Sequence, residues 1–222
     1  MTPLLELREV GYSYPRTSSP EPLLHGVSAA VLPGECVGVV GPNGSGKSTL
    51  LKIAATLLRP TSGVVLYRGV PVRNALSKYR AAVNYSAGAP LGFYPRLTAT
   101  ENLKFFSGMK GKMVGEREIA RILELVGLAA SAKTRYAQFS LGMRQRLHLA
   151  RLTLEPAELW IADEPTNGLD ADGTRLLTTL LTEAVGKAQL IVSHDTDFLS
   201  QVTDRTLELQ NGGVVWHGSF SS

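Results

Sequence analysis

Short apolar runs alternate with stretches of helical periodicity along the 222 residues. That alternation predicts an α/β fold. "LLELREV" (Leu4–Val10) reads as a first strand, followed by a turn-rich connection, "SYPRTSSPEP". "CVGVV" (Cys36–Val40) is apolar at odd and even positions alike, which predicts a strand buried on both faces. "GVVLYRG" and "AAVNYS" predict two further strands, and Leu159–Ala162 and Leu190–Ser193 two more buried ones. Between Cys36–Val40 and Pro60, a glycine-rich turn leads into a helix that the proline stops. The C-terminal stretch "RTLELQNGGVVWHG" predicts a hairpin turning at Asn211-Gly212.

From about Arg96 to Arg151 the pattern changes. β-Branched residues thin out and three helical stretches succeed one another: "ATENLKFFSGMKG", "EREIARILELVGL" and "LGMRQRLHLARLTL". The expected organisation is one domain over residues 1–222, with an α/β core from 1–90 and 156–222 and a helical subdomain from 91–155. No internal repeat, low-complexity tract or heptad pattern interrupts it.

Composition narrows the function. A net charge of +4 suits an acidic ligand such as a nucleotide, and the basic residues form no run that would track a nucleic acid backbone. The single cysteine, Cys36, excludes a disulfide framework and reads as a small buried hydrophobe. "MTPLLELREV" lacks the apolar core of a signal peptide, and no stretch approaches the roughly 20 apolar residues of a membrane span. Any work at a membrane would need spans from a partner.

"GPNGSGKST" has the spacing of a phosphate-binding loop between a strand and a helix. Gly41, Pro42, Asn43, Gly44, Ser45 and Gly46 would wrap a polyphosphate, all but the proline offering backbone N–H groups, and glycine permits the backbone angles this requires. Lys47 would reach the β- and γ-phosphates, the Ser48 hydroxyl would ligate Mg²⁺, and Thr49 completes the motif. "LWIADEPTNGLD" supplies the acidic half of such a site: Asp163 at the strand end for Mg²⁺, and Glu164 beside it to polarise an attacking water. "LIVSHD" places His194 at another strand end, and parallel strands deliver such residues to one edge.

"FSLGMRQRLHLAR" precedes Asp163 and opens a helix, with Ser140 suited to cap it and Met143, Leu147, Ala150 and Leu154 on one face. Together with the phosphate loop and "DEPTNGLD", it resembles the ATP-binding subunits of ABC transporters over nearly the whole length. Ser140, Leu141, Gly142 and Met143 match the signature that begins LSGGQ, with Leu141 in place of its first glycine and Met143 in place of its glutamine.

The resemblance implies a P-loop NTPase core with a mostly parallel sheet, an antiparallel β region at the N-terminus and an inserted helical subdomain. It implies ATP and Mg²⁺ as ligands, Glu164 and His194 as catalytic residues, Tyr14 stacking on adenine and Asp170 contacting the opposite subunit. It also implies two ATPs sandwiched between the phosphate loop of one subunit and the signature of another, a second copy or a homologous subunit. "RLTATENL" resembles the segment where exporters receive their membrane subunit, an integral permease, which would hold this chain at the cytoplasmic face of the cell membrane. Nothing after the last hairpin matches an importer's regulatory domain, so export is expected, of haem, an antibiotic or a polymer. A soluble ABC ATPase acting on ribosomes or DNA is the alternative; such chains usually carry two of these domains or long coiled-coil insertions. No nucleic acid partner is expected. In one place the chain departs from the family: the loop after "AAVNYS" should carry a metal-contacting glutamine near Gly88, and the chain has no glutamine before Gln138. The expectation is that the site works without this ligand because Ser48 and Asp163 hold the metal, with Ser86, or water held by backbone carbonyls, as the alternative substitute.

Overall fold

The computed structural model describes residues 2–15, 22–87, 92–109, 111, 113–154, 157–184 and 186–217. In chain order the elements are β1 (Leu5–Tyr12), β2 (Leu24–Val31), β3 (Cys36–Val40), α1 (Lys47–Ala54), β4 (Ser62–Tyr67), β5 (Val70–Pro71), α2 (Leu76–Ala82), β6 (Val83–Ala87), α3 (Ala99–Met109), α4 (Glu116–Leu125), α5 (Leu141–Leu154), β7 (Leu159–Asp163), α6 (Ala171–Thr182), β8 (Ala188–Val192), α7 (Thr196–Val202), β9 (Arg205–Gln210) and β10 (Gly213–His217). They divide into two compact units. The first comprises Met1–Ser86, Ala157–Pro165 and Ala184–Ser222, and the second Ala87–Pro156 and Thr166–Glu183.

Two sheets build the first unit. The N-terminal one is antiparallel, in the order β2-β1-β4-β5. The other runs β10-β9-β3-β8-β7-β6, and within it β9, β3, β8 and β7 pair in parallel. The expected fold class holds in both parts. Val37, Val39, Leu51, Ile53, Ile161, Leu190, Val192 and Leu207 are each at most 3% exposed and form one apolar core with α1. Burying each such side chain contributes about 1.5–3 kcal/mol. Register decides where the chemistry sits: Val39 pairs with Val192, and Val192 with Asp163. The chain therefore leaves β3, β7 and β8 at one common edge, where parallel α/β sheets place their ligands. The C-terminal hairpin turns at Asn211 and Gly212, both at positive φ (46° and 75°), as the sequence predicts.

In the second unit α3, α4 and α5 bury Leu103, Phe106, Ile119, Ile122, Leu123 and Leu147 against one another. Thr98 and Glu101 form a capping box at the start of α3: the Glu101 carboxylate accepts from Thr98 N–H (2.8 Å), and Thr98 Oγ1 accepts from Glu101 N–H (3.2 Å). The buried Asn102 amide accepts from Tyr94 N–H and donates to the carbonyls of Tyr94, Leu97 and Thr98.

The sequence boundaries need one correction. The sequence pattern assigns residues 166–183 to the α/β core, but they group with the helical unit. The cause is polar: Gln145 Nε2 donates to Asn167 O (2.6 Å) and Arg146 lies 3.3 Å from Asp170 Oδ1, tying the start of α6 to α5.

Candidate functional site

The phosphate loop joins β3 to α1 in the first unit. Gly41 sits at φ 141°, and a Cβ there would stand 2.4 Å from Leu209 O. Gly46, the residue before α1, has φ 102°, and its Cβ would meet Leu24 Cδ2 at 2.7 Å. Both positions exclude a side chain by conformation and by space. Lys47 is buried, and its Nζ curls back to donate to Gly41 O (2.8 Å) and Pro42 O (3.0 Å). The ammonium thus spans the loop it belongs to. The first turn of α1 carries no acidic side chain, so its partial positive charge is left for an anion. Ser48 is exposed, while Ser45 Oγ is buried without a protein partner.

Tyr14 stands edge-on to Tyr12 (4.9 Å between centroids), and its hydroxyl lies 3.0 Å from Thr49 Oγ1. The ring is 43% exposed, so a tether at one end leaves an aromatic surface open to solvent. Nothing in the sequence signals that tether.

The acidic edge lies at the end of β7. Asp163 Oδ1 is buried and has no protein partner. Glu164 adopts φ 53°, a left-handed conformation that costs a non-glycine residue about 1 kcal/mol or more. It is held there because its N–H donates to Val192 O (2.8 Å) and its Oε2 accepts from His194 N–H (3.2 Å). Glu164 Oε1 lies 3.3 Å from His194 Nε2, without hydrogen-bond geometry. The sheet therefore brings Asp163, Glu164 and His194 to one edge, as their strand-end positions predict. Among the described residues no cluster of three or more His, Cys, Asp or Glu forms a metal cage. One hydroxyl, Ser48, and one orphaned carboxylate oxygen, on Asp163, are oxygen donors of the kind a hard cation takes. These donors fit Mg²⁺.

The signature residues belong to the second unit. Ser140 Oγ accepts from Met143 N–H (3.2 Å) and Ser140 O from Arg144 N–H (3.0 Å), so Ser140 caps α5. Leu141 is 62% exposed, a Cβ on Gly142 would meet nothing within 4 Å, and the first turn has no acidic residue. Met143 is only partly buried, while Leu147, Ala150 and Leu154 on the same helical face are buried, as are Leu149 and His148. Asp170 caps α6 by accepting from Gly173 N–H (2.7 Å), and that bond, with help from Arg146, holds its carboxyl below the usual range. Gly88, where the glutamine is expected, lies outside the described residues; Ser86 is buried in β6.

A strand, a glycine loop spanned by its own lysine, a helix N-terminus and carboxylates on the same sheet edge define a P-loop nucleotide-binding protein. Comparison with known proteins places it further. The sequence model described as ABC transporter matches residues 24–167. The chain is 38% identical over 195 residues to the uncharacterized ABC transporter ATP-binding protein YdbJ of Bacillus subtilis strain 168, covering 86% of this chain and 63% of that protein. It is 35% identical over 179 residues to the cytochrome c biogenesis ATP-binding export protein CcmA of Pseudomonas aeruginosa, covering 81% and 88%. It superposes on the dimeric, post-hydrolysis ATP-binding cassette MJ0796 bound to ADP and Pi with a TM-score of 0.83 and 27% identity, covering 98% and 100%. The chain belongs to the ABC transporter family, as one of its ATPase subunits.

Proposed function

We propose that the chain binds and hydrolyses ATP to drive export of a substrate through a separate membrane permease. The observation that carries this reading is Glu164, held in a strained conformation with its carboxylate fixed against His194 at the mouth of the phosphate loop's own sheet edge. A carboxylate held this way is placed to take a proton from a water, and His194 orients it. Lys47 exchanges its loop carbonyls for phosphate oxygens, and the backbone N–H groups of 43–49 cradle the rest. Ser48 and Asp163 would hold Mg²⁺, which would neutralise charge building on the phosphates. The exposed Tyr14 ring offers a stacking surface for adenine.

The second half of each site would come from another subunit. The capped N-terminus of α5, with Ser140, Leu141, Gly142 and Met143 and no acidic residue in its first turn, suits a γ-phosphate presented by a partner. Asp170 would meet that partner's nucleotide site. The relative described as an export protein and the dimeric cassette support this reading. No helix among the described residues is long and apolar enough to cross a membrane, so the permease would hold the chain at the cytoplasmic face. The test is Glu164→Gln, assayed by phosphate release and by size-exclusion with light scattering. Turnover should fall by on the order of 100-fold or more, ATP binding should persist, and an ATP-bound dimer should accumulate. Near-normal hydrolysis would remove Glu164 from the mechanism.

A further inference from the structure

Tyr85 lies in β6, the strand next to β7 in the sheet order, and β7 ends at Asp163. Its ring packs against the apolar core, yet its hydroxyl oxygen is buried without a hydrogen-bond partner. Buried tyrosine hydroxyls ordinarily find a partner, because an unpaired one forfeits its hydration. Asp163 Oδ1 is in the same condition. One orphan is a donor and the other an acceptor, on neighbouring strands of the edge that carries the nucleotide loops. A phenol is protonated at neutral pH and able to donate. No glutamine follows β6 before Gln138.

We propose that Tyr85 is a positioning residue of the magnesium site, its hydroxyl donating to Asp163 or to a water that Asp163 holds, and so fixing the carboxylate toward the metal. The inference rests on the Mg²⁺–ATP reading above. Outer-shell partners of this kind set ligand orientation, and their loss weakens metal affinity by about 10- to 100-fold.

The test is Tyr85→Phe, which keeps the ring and removes only the hydroxyl. ATP binding is measured by titration calorimetry in EDTA and again in excess Mg²⁺, with thermal melting of the nucleotide-free protein alongside. Affinity in EDTA should match the parent, the melting midpoint should not fall, and the tightening conferred by Mg²⁺ should shrink by about tenfold. A full Mg²⁺ increment in the variant would overturn the proposal. So would an equal loss with and without the metal, which is the mark of a purely structural role. If the parent itself shows no Mg²⁺ increment, the Mg²⁺–ATP reading fails, and the role of Tyr85 fails with it.

Discussion

Acid should loosen the second unit through one side chain. His148 is buried in α5 beside Phe93, and burial, with a smaller effect from the Arg151 charge, pushes its imidazole down to about 4 from an ordinary 6.5. Between those values the unfolded chain takes up a proton that the folded one refuses. The stability is therefore fully present above about pH 6.5 and is lost as the pH falls towards about 4. The full span is worth about 3 kcal/mol, at about 1.4 kcal/mol for each pH unit between the two values, and about 2 kcal/mol of it is gone by about pH 5. Glu101 and Asp170, whose carboxyls are held low by bonds from backbone N–H groups, act only at lower pH. The assay is urea unfolding from about pH 7 to about pH 5, comparing the parent with His148→Phe. Phenylalanine suits the aromatic neighbourhood and cannot titrate. The variant's own stability is immaterial, because the slope against pH is what is read. The parent should lose about 2 kcal/mol more than the variant over that interval. Equal slopes would refute the buried neutral imidazole.

Two further outcomes concern the loops. Gly41→Ala should cost roughly 2–4 kcal/mol in urea unfolding and abolish binding of a fluorescent ATP analogue, because the new Cβ meets a backbone carbonyl at a conformation reserved for glycine; retention of both would show that the loop relaxes. Ser140→Ala should cost about 1 kcal/mol by removing the cap of α5, measured by the same unfolding; a variant as stable as the parent would show that the cap is made by solvent.

Much of this architecture is legible in the chain. β3, β7 and β8 are continuous apolar runs, α3 to α5 have clear helical patterns, and Asn211-Gly212 marks its own turn. β2 is not legible because "LHGVSAAV" is half exposed and broken by Gly26, leaving neither alternation nor a solid run. α2 and α7 span seven residues each, too few for periodicity to register. Sequence pattern puts α6 with the wrong unit because the Gln145–Asn167 and Arg146–Asp170 ties are contacts between distant positions. The site divides the same way. The phosphate loop and the two carboxylates have motif spacing, whereas the φ of Glu164, the tether on Tyr14 and the orphaned hydroxyl of Tyr85 arise only when strands are set side by side.

The Asn102 amide has a consequence for how this family member can vary. With one side chain it fastens Tyr94, Leu97 and Thr98 to the first turn of α3. It works like a hem, and the seam continues on its upstream side: Phe93 is buried with its ring against Phe106 of α3 and stacked on Tyr136. A change at Asn102 would release Tyr94, Leu97 and Thr98 together, so the entry into α3 varies as a unit and not residue by residue.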